Sequence, residues 1–290
     1  MSGDRSKHLD HLSLATTPVV ALRGDRPVWQ GSGVYYLYQR DEDQFLYVVT
    51  NAHVLTGHGP DAETDPGADH VIFQLHRSAE EPADVRPVRV PLFTRQGRPT
   101  WLQSETAPRA DVAAIPVPAH VCEGCDIHCI DRSWVSAGSL EPGPLTAVQA
   151  VGFPYGLHDR ENGLPLWQCG TLASEPAMDF NGEPCIAAEL TPYPGVSGAP
   201  VFMLNQHEPQ GAAAQVASPV MVRRFLGIYA SPPLGQGAGY PEAYCEAASP
   251  AAVARDAGGI GRIWRASVVE ELVGSVDTER WEREVLADLA

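Results

Sequence analysis

Three short patterns along the chain carry residue types that can work together in nucleophilic catalysis. One places His53 after an apolar run, another opens an apolar run with Asp111, and the third sets Ser197 among small residues. A serine hydroxyl is a weak nucleophile until a base removes its proton, and a neutral imidazole can do so near pH 7. A carboxylate on the other imidazole nitrogen fixes the tautomer, and glycines beside the serine let backbone N–H groups meet a developing oxyanion. The three patterns supply each of these parts once.

The order of these residues along the chain selects among the folds that carry such a triad. An α/β-hydrolase needs its histidine after the serine. His207 alone follows Ser197, and no alternation of strands and helices surrounds it. A subtilisin-type enzyme needs an aspartate before the histidine and a parallel α/β pattern, which the sequence lacks. The order His53, Asp111, Ser197 is that of the chymotrypsin double barrel. If the order were accidental, His53 and Asp111 would be structural residues and Ser197 a turn serine.

Strand-like runs dominate the elements that must position the triad. Runs of β-branched and aromatic residues, separated by turn residues, cover about 17–22, 33–38, 45–50, 71–75, 85–93 and 110–116, and resume over 145–152, 164–173, 184–190, 199–204 and 220–229. Short strands at this spacing predict an all-β sandwich or a pair of barrels. Ser267 and Glu270 fit a capping box, so a helix is expected to begin there and to stop at Gly274. Apolar residues recur every four positions over 281–289 and predict a second helix.

The chain resembles the trypsin-like (chymotrypsin-fold) serine peptidases, especially bacterial ones close to the protease domain of the HtrA type. The resemblance covers about residues 15–270, and its motifs are Gly31-Ser-Gly33, Thr50-Asn-Ala-His53-Val, Asp111-Val-Ala-Ala-Ile115, Val151-Gly-Phe-Pro-Tyr-Gly156, Gly170-Thr-Leu-Ala-Ser174, Gly195-Val-Ser-Gly-Ala-Pro200 and Gly259-Ile-Gly261. It implies an all-β fold of two antiparallel six-stranded β-barrels with short C-terminal helices. The expected segments are an N-terminal extension (1–14), a first barrel (15–116), a linker (117–142), a second barrel (143–266) and C-terminal helices (267–290).

The resemblance also implies a role for each triad residue. Ser197 would attack a peptide carbonyl, His53 would act as general base and then general acid, and Asp111 would orient His53. The N–H groups of Gly195 and Ser197 would form the oxyanion hole. We therefore expect a serine endopeptidase that works through an acyl-enzyme in regulated intracellular proteolysis, on protein or peptide substrates and with a regulatory protein partner. The alternative is a latent or inactive module of the same fold that binds extended peptides or a partner protein, which a collapsed loop around Gly195 would favour.

Specificity and activation are expected to depart from the best-known members. Secreted zymogens have an aspartate directly before the serine, where this chain has Val196, so activation through that ion pair is not expected. The resemblance places Thr191 at the base of the S1 pocket, where a neutral side chain favours an uncharged P1 residue unless insertions shift the register. It places Gly227 and Tyr229 in a strand that pairs with extended substrate. Tyr229 either shapes the pocket or is a core aromatic. A PDZ domain is not expected after the last strand.

A cluster of thiols and imidazoles over residues 120–129 falls in the expected linker, at a spacing typical of metal ligands. Some viral proteases of this fold hold a structural zinc there, and the resemblance adds a ligand from the hairpin after the catalytic serine. The predicted zinc ligands are Cys122, Cys125, Cys129 and His207. His120 or His128 could replace His207. The alternatives are ordinary buried thiols, or a disulfide in an exported protein. A catalytic metal is disfavoured because three cysteines would close its site, and peptide hydrolysis is expected to need no cofactor.

Composition and charge exclude several classes of protein. The 290 residues are 44% hydrophobic, enough for the core of one or two domains, and no apolar run approaches the ~18 residues of a membrane span. Thirty-six acidic and 20 basic side chains give a net charge of −16, which disfavours contacts with nucleic-acid phosphates. The first 14 residues lack the apolar core of a secretion signal. The six cysteines therefore predict reduced thiols and a cytoplasmic location.

Overall fold

The first half of the chain forms one large, mainly antiparallel sheet. The computed structural model describes residues 9–58, 67–104, 106–207, 220–231 and 259–275. Strands of the first half are β1 (Thr16–Arg23), β2 (Arg26–Arg40), β3 (Asp43–Thr50), β4 (His70–His76), β5 (Val85–Pro91), β6 (Leu102–Gln103), β7 (Ala113–Val117) and β8 (Ile130–Asp131). Hydrogen bonds join them in the order β5-β4-β1-β2-β3-β7-β6, and β8 adds to β2 in parallel.

The expected six-stranded first barrel differs from this arrangement. Over the described residues the sheet has eight strands, and its ladder does not close between β5 and β6. Two strands, β6 and β8, have only two residues each, too few to show the alternation by which a sequence reveals a strand. The antiparallel β architecture of this half is confirmed, whereas its closure into a six-stranded barrel is not.

The second half closes into the expected barrel. Its strands are β9 (Ala147–Gly152), β10 (Leu166–Leu172), β11 (Cys185–Glu189), β12 (Pro200–His207), β13 (Val220–Ala230) and β14 (Ile260–Arg265). They pair in the closed order β10-β11-β14-β13-β12-β9, and every neighbouring pair is antiparallel. The six-stranded barrel predicted for this half is therefore confirmed.

Short helices connect and flank the strands. They are α1 (His11–Ala15), α2 (Ala52–Thr56), α3 (Ala119–Cys122), α4 (Arg132–Val135) and α5 (Ala266–Gly274), with a 3₁₀ turn at Pro154–Gly156. The helix predicted before Gly274 is present, but its capping box is wrong. Residue Arg265 is the N-cap, no side chain caps the helix, and Ser267 lies inside its first turn. The reason is that β14 runs directly into α5, so the helix begins two residues earlier than the capping box predicted. The helix predicted over 281–289 lies outside the described residues.

A shared hydrophobic core joins the two halves. It contains Val34 and Tyr36 from β2 together with Phe202 and Phe225 from the barrel. The Tyr36 and Phe225 rings lie 6.4 Å apart, centroid to centroid. Each half also has a core of its own, around Phe73 in the first and around Tyr229 in the second. Residues on β2 therefore lie beside residues of the barrel.

Candidate active site

His53 and Asp111 form a tight pair at the edge of the first sheet. His53 lies in α2, one turn after β3, and Asp111 lies just before β7, which pairs with β3. The imidazole Nδ1 is 2.5 Å from Asp111 Oδ2, and the backbone N–H of His53 donates to Asp111 Oδ1 at 2.9 Å. Asn51 Nδ2 donates to the backbone carbonyl of Asp111 at 2.5 Å. The carboxylate thus favours the tautomer with the proton on Nδ1, which leaves Nε2 able to accept one.

Ser197 lies on a sharp turn that leads into β12. Gly195 and Gly198 on either side have φ values of +92° and +88°, a region that side chains disfavour. A Cβ on Gly195 would lie 2.5 Å from Phe153 O, and one on Gly198 would overlap Ser32 O. Only glycine therefore fits at either position. Ser197 is 7% exposed, and its Oγ accepts from the N–H of Ser231 at 3.4 Å.

Gly31 brings the serine turn against the helix that carries His53. A Cβ on Gly31 would lie 2.6 Å from the Val54 side chain and 2.8 Å from Ser197 O, and Val54 is the residue after His53. The described residues show no hydrogen bond between His53 Nε2 and Ser197 Oγ. Such bonds are often long in free enzymes and tighten when substrate binds. The structure therefore brings the three predicted residues close together. Among the described residues, no hydrogen bond joins Ser197 to His53.

The peptide groups before Gly195 and Ser197 are turned so that their N–H groups are available. Pro194 O accepts from the N–H of Tyr155 at 2.5 Å, and Val196 O accepts from the N–H of Ala199 at 2.9 Å. In a trans peptide the N–H points away from the carbonyl of the preceding residue. Within the described part of the chain, neither the Gly195 nor the Ser197 N–H donates to a protein acceptor. This is the arrangement that an oxyanion hole requires.

The expected specificity residues lie in different environments. Thr191 is exposed, whereas Tyr229 is fully buried and its hydroxyl donates to Leu190 O at 2.8 Å. Burial raises the pKa of the Tyr229 hydroxyl. Tyr229 O accepts from Gly198 N–H at 2.8 Å, so its strand supports the serine turn directly. A Cβ on Gly227 would overlap Trp264 O on the neighbouring strand. Tyr229 and Gly227 thus brace the barrel beside Ser197, and a contact with substrate stays a prediction.

The cysteine cluster does not assemble a metal site in the described residues. Cys122, Cys125 and Cys129 are half-buried free thiols, and burial raises the pKa of Cys122 and Cys129. No group of three or more His, Cys, Asp or Glu side chains suited to a metal occurs in the part of the chain that the structure describes. His128 instead contacts His11, with the two Nδ1 atoms 3.2 Å apart. The backbone of His207 lies in β12, but its side chain is outside the described part. The zinc set Cys122, Cys125, Cys129 and His207 therefore stays a prediction.

Sequence reasoning did not assign a role to Ser32, Asn51 or Tyr155. Ser32 and Tyr155 stand in motifs that suggested the fold, Gly31-Ser-Gly33 and Val151-Gly-Phe-Pro-Tyr-Gly156. Both turn out to hold backbone groups of the serine turn. For Ser32, the one available signal was its place between two glycines directly before a strand-like run, because a polar residue that becomes buried there must satisfy its hydroxyl inside the protein.

Neither a protein-family model nor a curated protein matches the sequence. Solved structures do. A serine endoprotease from Yersinia pestis is 15% identical, with 94% of this chain and 65% of that one covered and a TM-score of 0.45. The chain thus spans less than two thirds of that protein. The thermostable serine protease AL20 from an extremophilic microorganism is 13% identical (90% and 95% covered, TM-score 0.45). A scabies mite inactivated protease paralogue is also 13% identical (93% and 97% covered, TM-score 0.47).

At such low identity, the chemistry of this chain has to be inferred from its own side chains. None of the helices that the structure describes has the length and apolar character needed to cross a bilayer.

Proposed function

We propose that this protein is a serine endopeptidase that hydrolyses peptide bonds through His53, Asp111 and Ser197. The observation that carries the proposal is the combination of an oriented His53–Asp111 pair with a serine turn whose Gly195 and Ser197 N–H groups donate to no acceptor among the described residues. A structural histidine or a turn serine would need neither feature. The available N–H groups also disfavour the inactive-module alternative, for which a collapsed loop around Gly195 was expected.

The proposed reaction follows from these groups. His53 Nε2 removes the proton of Ser197 Oγ as the oxygen attacks the peptide carbonyl carbon. The N–H groups of Gly195 and Ser197 stabilise the negative charge on the carbonyl oxygen, and Asp111 stabilises the imidazolium. His53 then protonates the amine, the C–N bond breaks, and an acyl-enzyme remains on Ser197. Water, activated by the same histidine, releases the acid product and restores the serine.

A fluorophosphonate probe tests the nucleophile, because it reacts with an activated serine. We expect wild-type protein to be labelled at pH 7.5 and Ser197→Ala to lose labelling. Ser136→Ala, which changes an exposed serine, is the matched control and should label like wild type. Hydrolysis of fluorescent casein should fall about 10⁶-fold in Ser197→Ala, to the background of the assay.

Two results would count against the proposal. Labelling that persists in Ser197→Ala would place the nucleophile elsewhere. A folded wild type that neither labels nor cleaves casein would support the peptide-binding module instead. A cytoplasmic location, a regulated role in proteolysis and a regulatory protein partner stay predictions from the sequence.

A further inference from the structure

Ser32 is a buried serine of the first half whose polar atoms are all hydrogen-bonded around the serine turn. It is 0% exposed. Its N–H donates to Ser197 O at 2.7 Å, and its carbonyl accepts from Thr50 Oγ1 at 2.7 Å. Its hydroxyl donates to Gly195 O at 2.7 Å and accepts from the N–H of Phe153 at 2.9 Å. A hydroxyl has one proton to donate, and here that proton is donated to Gly195 O. Gly195 belongs to the segment 194–197, which we call the oxyanion loop.

These contacts fix the orientation of consecutive peptide groups in the oxyanion loop. The carbonyls of residues 194, 195, 196 and 197 all have partners, and Ser32 supplies the partners of two of them, Gly195 and Ser197. Gly195 is the residue most able to change conformation, because it has no side chain to restrict φ. If its carbonyl were released, rotation at Gly195 could turn the neighbouring N–H groups away from the hole. The Ser32 hydroxyl removes that freedom.

The same hydroxyl also supports the other side of the loop. By accepting from Phe153 N–H, it fixes the start of the Pro154–Gly156 turn, which presents Tyr155 N–H to Pro194 O. Pro194 O belongs to the peptide that carries the Gly195 N–H. Ser32 therefore acts on the oxyanion loop directly through Gly195 and indirectly through Tyr155.

We infer that Ser32 is a positioning residue, whose hydroxyl holds the Gly195 loop in the form that binds the developing oxyanion. The inference rests on the proposed peptidase function. Ser32 belongs to β2 and Gly195 to the loop before β12, 163 positions later. The link therefore makes the geometry of the hole depend on the correct docking of the two halves. Substrate does not need to touch Ser32 for this role.

Saturation kinetics with a fluorophosphonate probe test the inference, because they separate probe binding (KI) from reaction of the serine (kinact). Loss of a donor inside an oxyanion hole costs about 10²–10³-fold in rate, and a residue acting through that donor should cost less. We expect Ser32→Ala to lower kinact about 10- to 100-fold and to leave KI within about twofold. Casein hydrolysis should fall in parallel.

Thr100→Val is the matched control, because Thr100 is also a buried hydroxyl residue with one bond to a backbone carbonyl, that of Pro91 at 2.5 Å. It lies in the loop between β5 and β6, so it should lose stability without losing kinact. Ser32→Cys keeps a weaker donor at the same place and should give a kinact between those of wild type and Ser32→Ala. It also allows the test if Ser32→Ala does not fold.

The outcomes distinguish this inference from the proposed function. A wild type without labelling would refute the peptidase. A labelled wild type with unchanged kinact in folded Ser32→Ala or Ser32→Cys would refute only the positioning role. A rise in KI with constant kinact would also overturn it, since it would show an effect on probe binding alone. An equal loss of kinact in Thr100→Val would show that the loss in Ser32→Ala results from general destabilisation and not from a change in the oxyanion loop.

Discussion

The His53–Asp111 pair shows how backbone and side chain together define one proton position. Both carboxylate oxygens of Asp111 accept from His53, one from the ring and one from the backbone N–H. The side chain of Asp111 is 13% exposed, so little water competes for these bonds. His53 is consequently held by two contacts to a single residue, one at its ring and one at its backbone. The tautomer of the imidazole depends on Asp111 Oδ2, which faces the ring, remaining an acceptor.

Replacement of Asp111 by asparagine should therefore lower activity without much change in packing. An amide facing Nδ1 would act as a donor and favour the proton on Nε2, the wrong tautomer for a base. We expect Asp111→Asn to reduce kcat for casein hydrolysis about 10⁴-fold. Asp25→Asn, at an aspartate with 94% of its side chain exposed, is the control and should retain full activity. A loss of less than tenfold in Asp111→Asn would mean that Asp111 does not set the tautomer.

At the scale of elements, strand β13 connects the barrel to the serine turn. The strand has a bulge where Val201 pairs with Gly227 and Phe202 with Phe225. Gly227 has a φ of +145°, and a Cβ there would overlap Trp264 O of β14. Two residues later, Tyr229 accepts from Gly198 N–H. The bulge therefore requires glycine at position 227. The serine turn is held by the part of β13 that follows the bulge.

Gly227→Ala should consequently damage both the barrel and the site. The overlap with β14 predicts a loss of about 3 kcal/mol or more in the free energy of unfolding, measured by urea denaturation. Gly24→Ala is the matched control, because Gly24 also has a positive φ (+60°), but no atom of the described residues lies within 4 Å of the added Cβ. It should cost about 1 kcal/mol, the backbone strain alone. Equal losses in the two variants would show that β14 moves aside at no cost.

Most strands and the three candidate catalytic residues could be proposed from the sequence, whereas the contacts that bring these residues together could not. Alternation and turn residues revealed runs such as 45–50 and 71–75 because each covers at least five positions. Strand β6 and helix α2 are too short for any periodicity. Residue type and order were enough to select His53, Asp111 and Ser197. The role of Ser32 depends on backbone carbonyls far along the chain, which no local pattern encodes.

For the whole molecule, the shared core predicts that the two halves unfold together. Tyr36 of the first half packs with Phe225 and Phe202 of the second, and Ser32 is hydrogen-bonded across the same boundary. Opening of either half would expose this core and break the bonds to the serine turn. Local stability should therefore be uniform across the boundary, as expected for one cooperative unit.

Hydrogen exchange in variants of the separate core of each half tests this cooperativity. Phe73 belongs to the core of the first half and Ile263 to that of the barrel, and both are fully buried. Phe73→Leu should lower stability by about 1–2 kcal/mol and Ile263→Val by about 0.5–1.5 kcal/mol. If the halves open together, Phe73→Leu lowers the protection of amides in β11 as much as in β4, and Ile263→Val does the same in reverse. Protection that falls only in the mutated half would show that the halves open independently. The contacts that hold the oxyanion loop would then break each time either half opens.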